Sequence, residues 1–104
     1  MEHQDLLSGF IRMHILHHAA EDGIYGQWMI EELAEHGYRI SAGTLYPMLH
    51  AMERRGYLSS SKTRLGRTYR RVYVATDLGR DALAQAKLKL RELFREIVEE
   101  ARHS

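Results

Sequence analysis

Three observations predict a mainly α-helical fold with one small β-hairpin and a long C-terminal helix. Apolar residues recur at three- and four-residue spacing in four separate stretches, the signature of helices with one buried face. Between residues 57 and 75 the period drops to two around a glycine-bearing turn, the mark of a hairpin. The 104 residues include one proline and are 44% hydrophobic, which suits a single folded domain with a modest core.

Residues 4–20 read as the first helix. Leu6, Leu7, Phe10, Ile11, Met13, His14, Leu16 and Ala20 build a wide apolar stripe, and Glu21-Asp22-Gly23 ends it. A second helix is expected over 26–36, with Trp28, Met29 and Leu33 inward, Glu31, Glu32 and Glu35 outward, and Gly37 as a left-handed C-cap. Ser41 offers an N-cap oxygen for a third helix that runs to Arg55 and stops at Gly56, its apolar face made by Leu45, Met48, Leu49 and Met52. Pro47 inside that helix removes an amide and crowds the carbonyl of Gly43. The expectation is a kink, or a regular part that begins near Thr44, and in either case a chain opened around Gly43-Thr44 with backbone groups free for a phosphate. Two short helices joined by so tight a link form a helix-turn-helix, whose second member ordinarily enters the major groove.

Val72 and Val74 alternate with Arg71 and Tyr73, Tyr57 and Leu58 open the facing strand, and Leu65-Gly66-Arg67-Thr68 supplies the turn. A hairpin so placed behind a helix-turn-helix is a wing, and the predicted fold is a winged helix-turn-helix. Thr76 is the expected N-cap of the last helix, with Asp77 in its first turn, where the dipole favours negative charge. Leu83, Ala86, Leu90, Leu93, Phe94, Ile97 and Ala101 keep helical spacing to about Arg102. About 25 helical residues extend roughly 37 Å. That exceeds what the remaining core covers, so the surplus stripe calls for a partner, most simply a second copy of the chain.

Charge is segregated. Arg54, Arg55, Lys62, Arg64, Arg67, Arg70 and Arg71 fall between residues 54 and 76 with no acid among them. Residues 1–53 hold eight acids against Arg12 and Arg39, and residues 77–104 hold six charges of each sign, so the net charge is only +1. One part of the molecule therefore seeks phosphate. Without cysteine there are no disulfides or thiolate metal sites. The apolar stretches fall far short of the roughly 20 residues that span a bilayer. The start, MEHQD, is not that of a secretion signal, and a cytoplasmic protein with no membrane partner is expected. There is no paired nucleophile and base and no phosphate-cradling glycine loop; the expectation is that the chain is not an enzyme and needs no cofactor.

The candidate DNA-binding residues are Ser41, Thr44, Tyr46, His50 and Arg54 on the third helix, with Lys62, Arg64, Arg67 and Arg70 on the wing. Hydroxyls and a helix N-terminus suit phosphate oxygens, while His50 and Arg54 are long enough to reach a base edge. Wing guanidiniums suit phosphates or a minor groove. The plainer alternatives are capping for Ser41 and Thr44, a dipole partner for Arg54, and a solvated hairpin guarded by its own charge. His14, His17 and His18 share a helix face at spacings that can hold a divalent metal, which makes a metal-responsive regulator one alternative; packing of His14 in the core is the other. Trp28, Met13, Met29, Met48 and Met52 are candidates for an apolar pocket that takes a small aromatic effector, against the plain reading as core.

The segments Gly23-Ile24-Tyr25-Gly26, Ile40-Ser41-Ala42-Gly43-Thr44-Leu45-Tyr46-Pro47-Met48-Leu49, Met52-Glu53-Arg54-Arg55-Gly56-Tyr57-Leu58 and Arg70-Arg71-Val72-Tyr73-Val74-Ala75-Thr76-Asp77-Leu78-Gly79 closely resemble the PadR family of transcriptional regulators. The likeness spans about residues 10–80, and the length is similar to the short subclass with a single C-terminal helix. The resemblance implies a homodimer that represses transcription, bound to double-stranded DNA, with Tyr46 and its neighbours on the backbone and the wing in an adjacent groove. It also implies dimer contacts from the N- and C-terminal helices, here Leu6, Phe10, Leu83, Leu90, Leu93, Phe94 and Ile97. Some relatives use a tryptophan of the C-terminal helix in a drug-binding pore; the sole tryptophan here is Trp28, in the second helix, so that pocket is not carried over. Residues 1–76 are thus expected to bind DNA and residues 77–104 to dimerise. The competing class is a winged-helix adaptor for protein or RNA.

Overall fold

The computed structural model describes residues 3–100. The elements run α1 (Gln4–Glu21), α2 (Gly26–Glu35), α3 (Ala42–Arg54), β1 (Leu58–Leu65), β2 (Thr68–Ala75) and α4 (Asp77–Phe94), the last continuing into a π-helical turn at Arg95–Glu99. This is the expected mainly α fold with one antiparallel hairpin. The last helix is not uniform, since its final stretch widens into that π turn; Ala101 and Arg102 lie outside the described residues.

Both helices of the helix-turn-helix end alike. After α2, Gly37 adopts φ +89°, its amide donates to Ala34 O (3.0 Å), and the Tyr38 amide donates to Leu33 O (2.8 Å). After α3, Gly56 adopts φ +87°, its amide donates to Glu53 O (2.9 Å), and the Tyr57 amide donates to Met52 O (2.9 Å). Each is a Schellman motif, and a glycine without Cβ strain sets the chain direction after both helices.

Pro47 does not open α3. The Leu45 amide donates to Ser41 O at 2.9 Å, and the helix continues unbroken from Ala42. The carbonyl that loses its helical donor is that of Gly43, which is exposed, so water satisfies it at little cost. Gly43 also has no side chain to crowd the proline ring.

The core is assembled from every element: Ile11, Ile15, Leu16 and Ala19 of α1, Met29 and Leu33 of α2, Leu45, Met48, Leu49 and Met52 of α3, and Leu58, Tyr73, Ala75 and Leu83 beyond them. The buried edge of α1 is thus 11, 15, 16 and 19, while Phe10, Met13 and His14 are only half-buried and Leu6 is exposed. The base of the hairpin is joined by a single residue pair to the α1–α2 link: Ile24 and Tyr73 exchange both backbone hydrogen bonds, at 2.9 and 2.7 Å. Gly23 beside it has no room for a Cβ, which would strike Val72. Thr76 caps α4 by accepting from the Gly79 amide (3.0 Å) and also donates to Gly56 O. A Cβ on Gly79 would collide with the Tyr57 carbonyl, so α4 meets the α3–β1 junction backbone to backbone. Beyond Ala86 every described residue of the last helix is exposed, and the molecule measures 58 × 30 × 21 Å.

Candidate nucleic-acid interface

The amphipathic spacing of α3 buries Leu45, Met48, Leu49 and Met52 and leaves Ser41, Tyr46, His50 and Arg54 exposed, with Thr44 half-buried. Ser41 occupies the N-cap position, but its hydroxyl caps no amide; it hydrogen-bonds the Thr44 hydroxyl at 3.4 Å. The N-cap of α2, Tyr25, likewise makes no side-chain cap. In the first turn of α3 the Thr44 amide donates to Ser41 O (3.1 Å), while Ala42 and Gly43 are exposed and no side chain caps them, an arrangement that suits a phosphate oxygen.

Strand β1 pairs with β2 from Leu58↔Ala75 to Leu65↔Thr68, closed by the two-residue loop Gly66-Arg67. Gly66 takes φ +65° as the first loop residue, while Arg67 keeps a negative φ, the pattern of a type II′ turn that matches strand twist. Alternation places Lys62, Arg64 and Arg71 on one face and Arg70 on the other, with Arg67 at the tip. Arg64 is partly engaged: its Nε donates to Gly66 O (2.9 Å), and its guanidinium lies 6.0 Å from the Tyr69 ring centre. Among the described residues no carboxylate forms an ion pair with Lys62, Arg64, Arg67, Arg70 or Arg71.

Wing and helix α3 are connected through the start of α2. The Arg70 guanidinium sits over the Tyr25 ring at 5.3 Å, within cation–π range. Next to Tyr25, Gly26 is covered by the Tyr46 ring so closely that a Cβ there would overlap it. Tyr46 in turn lies 6.4 Å from the ring of His50. Arg70 and Tyr25 are thus linked through Gly26 to Tyr46 and His50, from the hairpin to α3. Tyr25 and Gly26 were not among the sequence candidates. They stand at the start of α2, in the Gly23-Ile24-Tyr25-Gly26 segment, which the Ile24–Tyr73 pairing joins to the wing.

Residues 15–85 match the Transcriptional regulator PadR-like family. The chain belongs to the PadR-like family of transcriptional regulators. It is 49% identical over 88 residues to Transcriptional regulator Rv3488 of Mycobacterium tuberculosis, covering 85% of this chain and 82% of that one. The crystal structure of a PadR family transcriptional regulator from Eggerthella lenta superposes with a TM-score of 0.81 at 28% identity, over 96% of this chain and 88% of that one. A PadR-like regulator from Bacillus cereus shares the fold with a TM-score of 0.86 at 22% identity, over 93% and 96% of the two chains. The PadR-like chain is a DNA-binding transcriptional regulator and not an enzyme. Among the described residues no helix is long and apolar enough to cross a membrane.

The remaining sequence candidates of this PadR-like regulator fare unequally. His14, His17 and His18 do not converge on a metal: among the described residues no three His, Asp or Glu side chains are grouped to hold one. Helical geometry sends them to different neighbours. His14 stacks on His36 at 4.9 Å and meets Tyr38 edge-on, His17 pairs with Glu21 (3.2 Å), and His18 approaches Glu32 (3.5 Å), which also accepts from His36 (3.2 Å). Burial, reinforced by the neighbouring His36, His18 and His17, holds His14 below the ordinary histidine pKa. The five proposed effector residues form no common pocket. Met29 and Met48 are core, Met13 and Met52 line a cavity between α1, α3 and α4, and Trp28 lies apart, against His18. Of the seven expected dimer residues, Leu83 is only 6% exposed and belongs to the chain's own core. Leu6, Leu90, Leu93, Phe94 and Ile97 are exposed, and Phe10 is half-buried beside them in a groove between α1 and α4 that also includes Leu90 and Leu93.

Proposed function

We propose that the protein is a repressor that binds operator DNA as a homodimer, with α3 in the major groove and the hairpin on the backbone and the adjacent minor groove. The observation that carries this reading is the chain of contacts from Arg70 to Tyr25, and through the adjoining Gly26 to Tyr46 and His50, which links the wing to α3. The wing cations, which pair with no carboxylate among the described residues, support the same reading, since a phosphate backbone supplies that counter-charge. In this reading Ser41, Thr44 and Tyr46 take phosphates with the amides of α3, His50 and Arg54 face base edges, and Lys62, Arg64, Arg67 and Arg70 follow the backbone.

Residues 1–76 are the DNA-binding unit and residues 77–104 the dimerisation helix. The apolar stripe of Leu90, Leu93, Phe94 and Ile97 is exposed, and Leu6 and Phe10 extend it on α1. A second copy placed across this stripe buries it and gives two copies of α3 related by a two-fold axis. A working place in the cytoplasm follows from the target. Footprinting on the protein's own upstream region tests the reading: two protected half-sites are expected about one helical turn, roughly 34–36 Å, apart. A single unsymmetrical patch refutes the dimer, and binding that duplex DNA cannot compete for refutes the interface.

A further inference from the structure

Residues 54–76 hold no acid, yet the carboxylate just before them turns toward the wing. Glu53 Oε2 accepts two hydrogen bonds from Ser60, one from its amide (2.9 Å) and one from its hydroxyl (2.7 Å). The same hydroxyl oxygen accepts from Arg71 Nη1 at 3.1 Å. A serine hydroxyl has one proton and two lone pairs, so donating to Glu53 while accepting from Arg71 uses it consistently. The strand register sets Ser60 opposite Tyr73, whose backbone bonds go to Ile24, and places Arg71 diagonally across on the same face. A carboxylate on the last turn of α3 is thereby chained to both strands at the base of the hairpin.

Only Arg55, Gly56 and Tyr57 separate α3 from β1; the Ile24–Tyr73 bridge holds the β2 side of the hairpin base, and the Glu53–Ser60 bonds tie its β1 side to α3. A negative charge this near a DNA-facing surface works against phosphate binding, so its position calls for another role. We propose that Glu53 is a positioning residue: its bonds to Ser60 set the angle between hairpin and α3, so that both meet one duplex together. Arg71 is correspondingly engaged at the hairpin base, which separates it from the four wing cations assigned to the backbone. This inference rests on the DNA reading above for its consequence, but not for the geometry it tests.

The chain has no cysteine, so Thr63→Cys on the exposed wing gives a single site for a spin label. Label mobility without DNA is expected to rise in Glu53→Ala and to return to the parent value in Glu53→Gln, whose amide oxygen still accepts from Ser60. With duplex DNA, Glu53→Ala is expected to flatten the plot of log K against log salt by about 0.9 or more per protomer, the loss of at least one phosphate contact. Ser60→Ala, which deletes the hydroxyl link and keeps the amide, serves the same two measurements should Glu53→Ala fail to fold. Unchanged mobility, an unchanged salt slope, or a Glu53→Gln label as mobile as that of the alanine variant overturns the proposal. If the parent protein itself shows no salt-dependent duplex binding, the DNA reading falls, and the mobility series still decides whether Glu53 holds the wing.

Discussion

Arg67→Ala removes a single guanidinium from the hairpin tip and disturbs little else. Arg67 is the second residue of the two-residue loop, exposed, with no hydrogen bond or ion pair among the described residues, and Gly66 carries the turn's positive φ. One phosphate contact contributes about 0.9 to the slope of log K against log salt. In a two-fold dimer the substitution occurs twice, so the slope should flatten by about 1.8. Between 50 and 200 mM salt, a fourfold change, the variant should lose about 12-fold less affinity than the parent does. Fluorescence anisotropy with a labelled operator and a scrambled duplex measures both slopes. The deficit should be the same for the two sequences, because phosphates carry no sequence information. An unchanged slope refutes the phosphate contact; a deficit confined to the operator means that Arg67 reads a base. Arg64→Ala is the informative comparison. It also removes the bond to Gly66 O and should disturb the turn, giving a larger loss than charge alone.

Other substitutions probe the remaining contacts. Phe94 is 51% exposed. Covering that surface is worth about 1 kcal/mol per copy, and Phe94→Asp adds a carboxylate to the seam, so dimerisation should weaken by about 100-fold or more in sedimentation equilibrium. Association that is unaffected excludes this stripe as the seam. Gly26→Ala must push the Tyr46 ring aside, and DNA affinity should fall while the melting temperature shifts by a few degrees at most; retained affinity would show that the Tyr46 ring position is immaterial. His14 has a folded pKa below its ordinary 6.5, so below that pH the unfolded chain binds more protons than the folded one. The corresponding stability is complete above pH 6.5 and is lost as pH falls through the folded value. Urea midpoints across this range should drop less steeply in His14→Gln, and parallel curves would remove His14 as the cause.

Local signals in the sequence mark out the elements well. The three-four spacing within 4–20, 26–36 and 41–55 locates the first three helices to within a residue or two, and Gly37, Gly56 and Gly66 all take the positive φ that their places at helix ends and turn require. Thr76 caps α4 as its hydroxyl and position suggest. Pro47 misleads, because its damage depends on whether Gly43 is exposed, and a sequence does not state exposure. Leu83 misleads similarly: spacing puts it on the apolar stripe of α4 but cannot say where the chain's own core ends and a partner's surface begins.

Family, helix-turn-helix, hairpin and the crowding of positive charge into residues 54–76 are properties of contiguous segments. The sequence alone determines them, because caps, turns and amphipathic periods act over a few residues. Which cations remain free, and which are held, is decided by pairs far apart in the chain. Arg70 meets Tyr25 beside the Ile24–Tyr73 bridge, Tyr46 meets Gly26 where α3 packs on α2, and Arg71 is drawn to the hairpin base by Ser60 and Glu53. Such contacts have no period, and a motif names the residues without naming their partners. They exist only once the helices have packed, and they turn a basic stretch of chain into a surface with a defined shape.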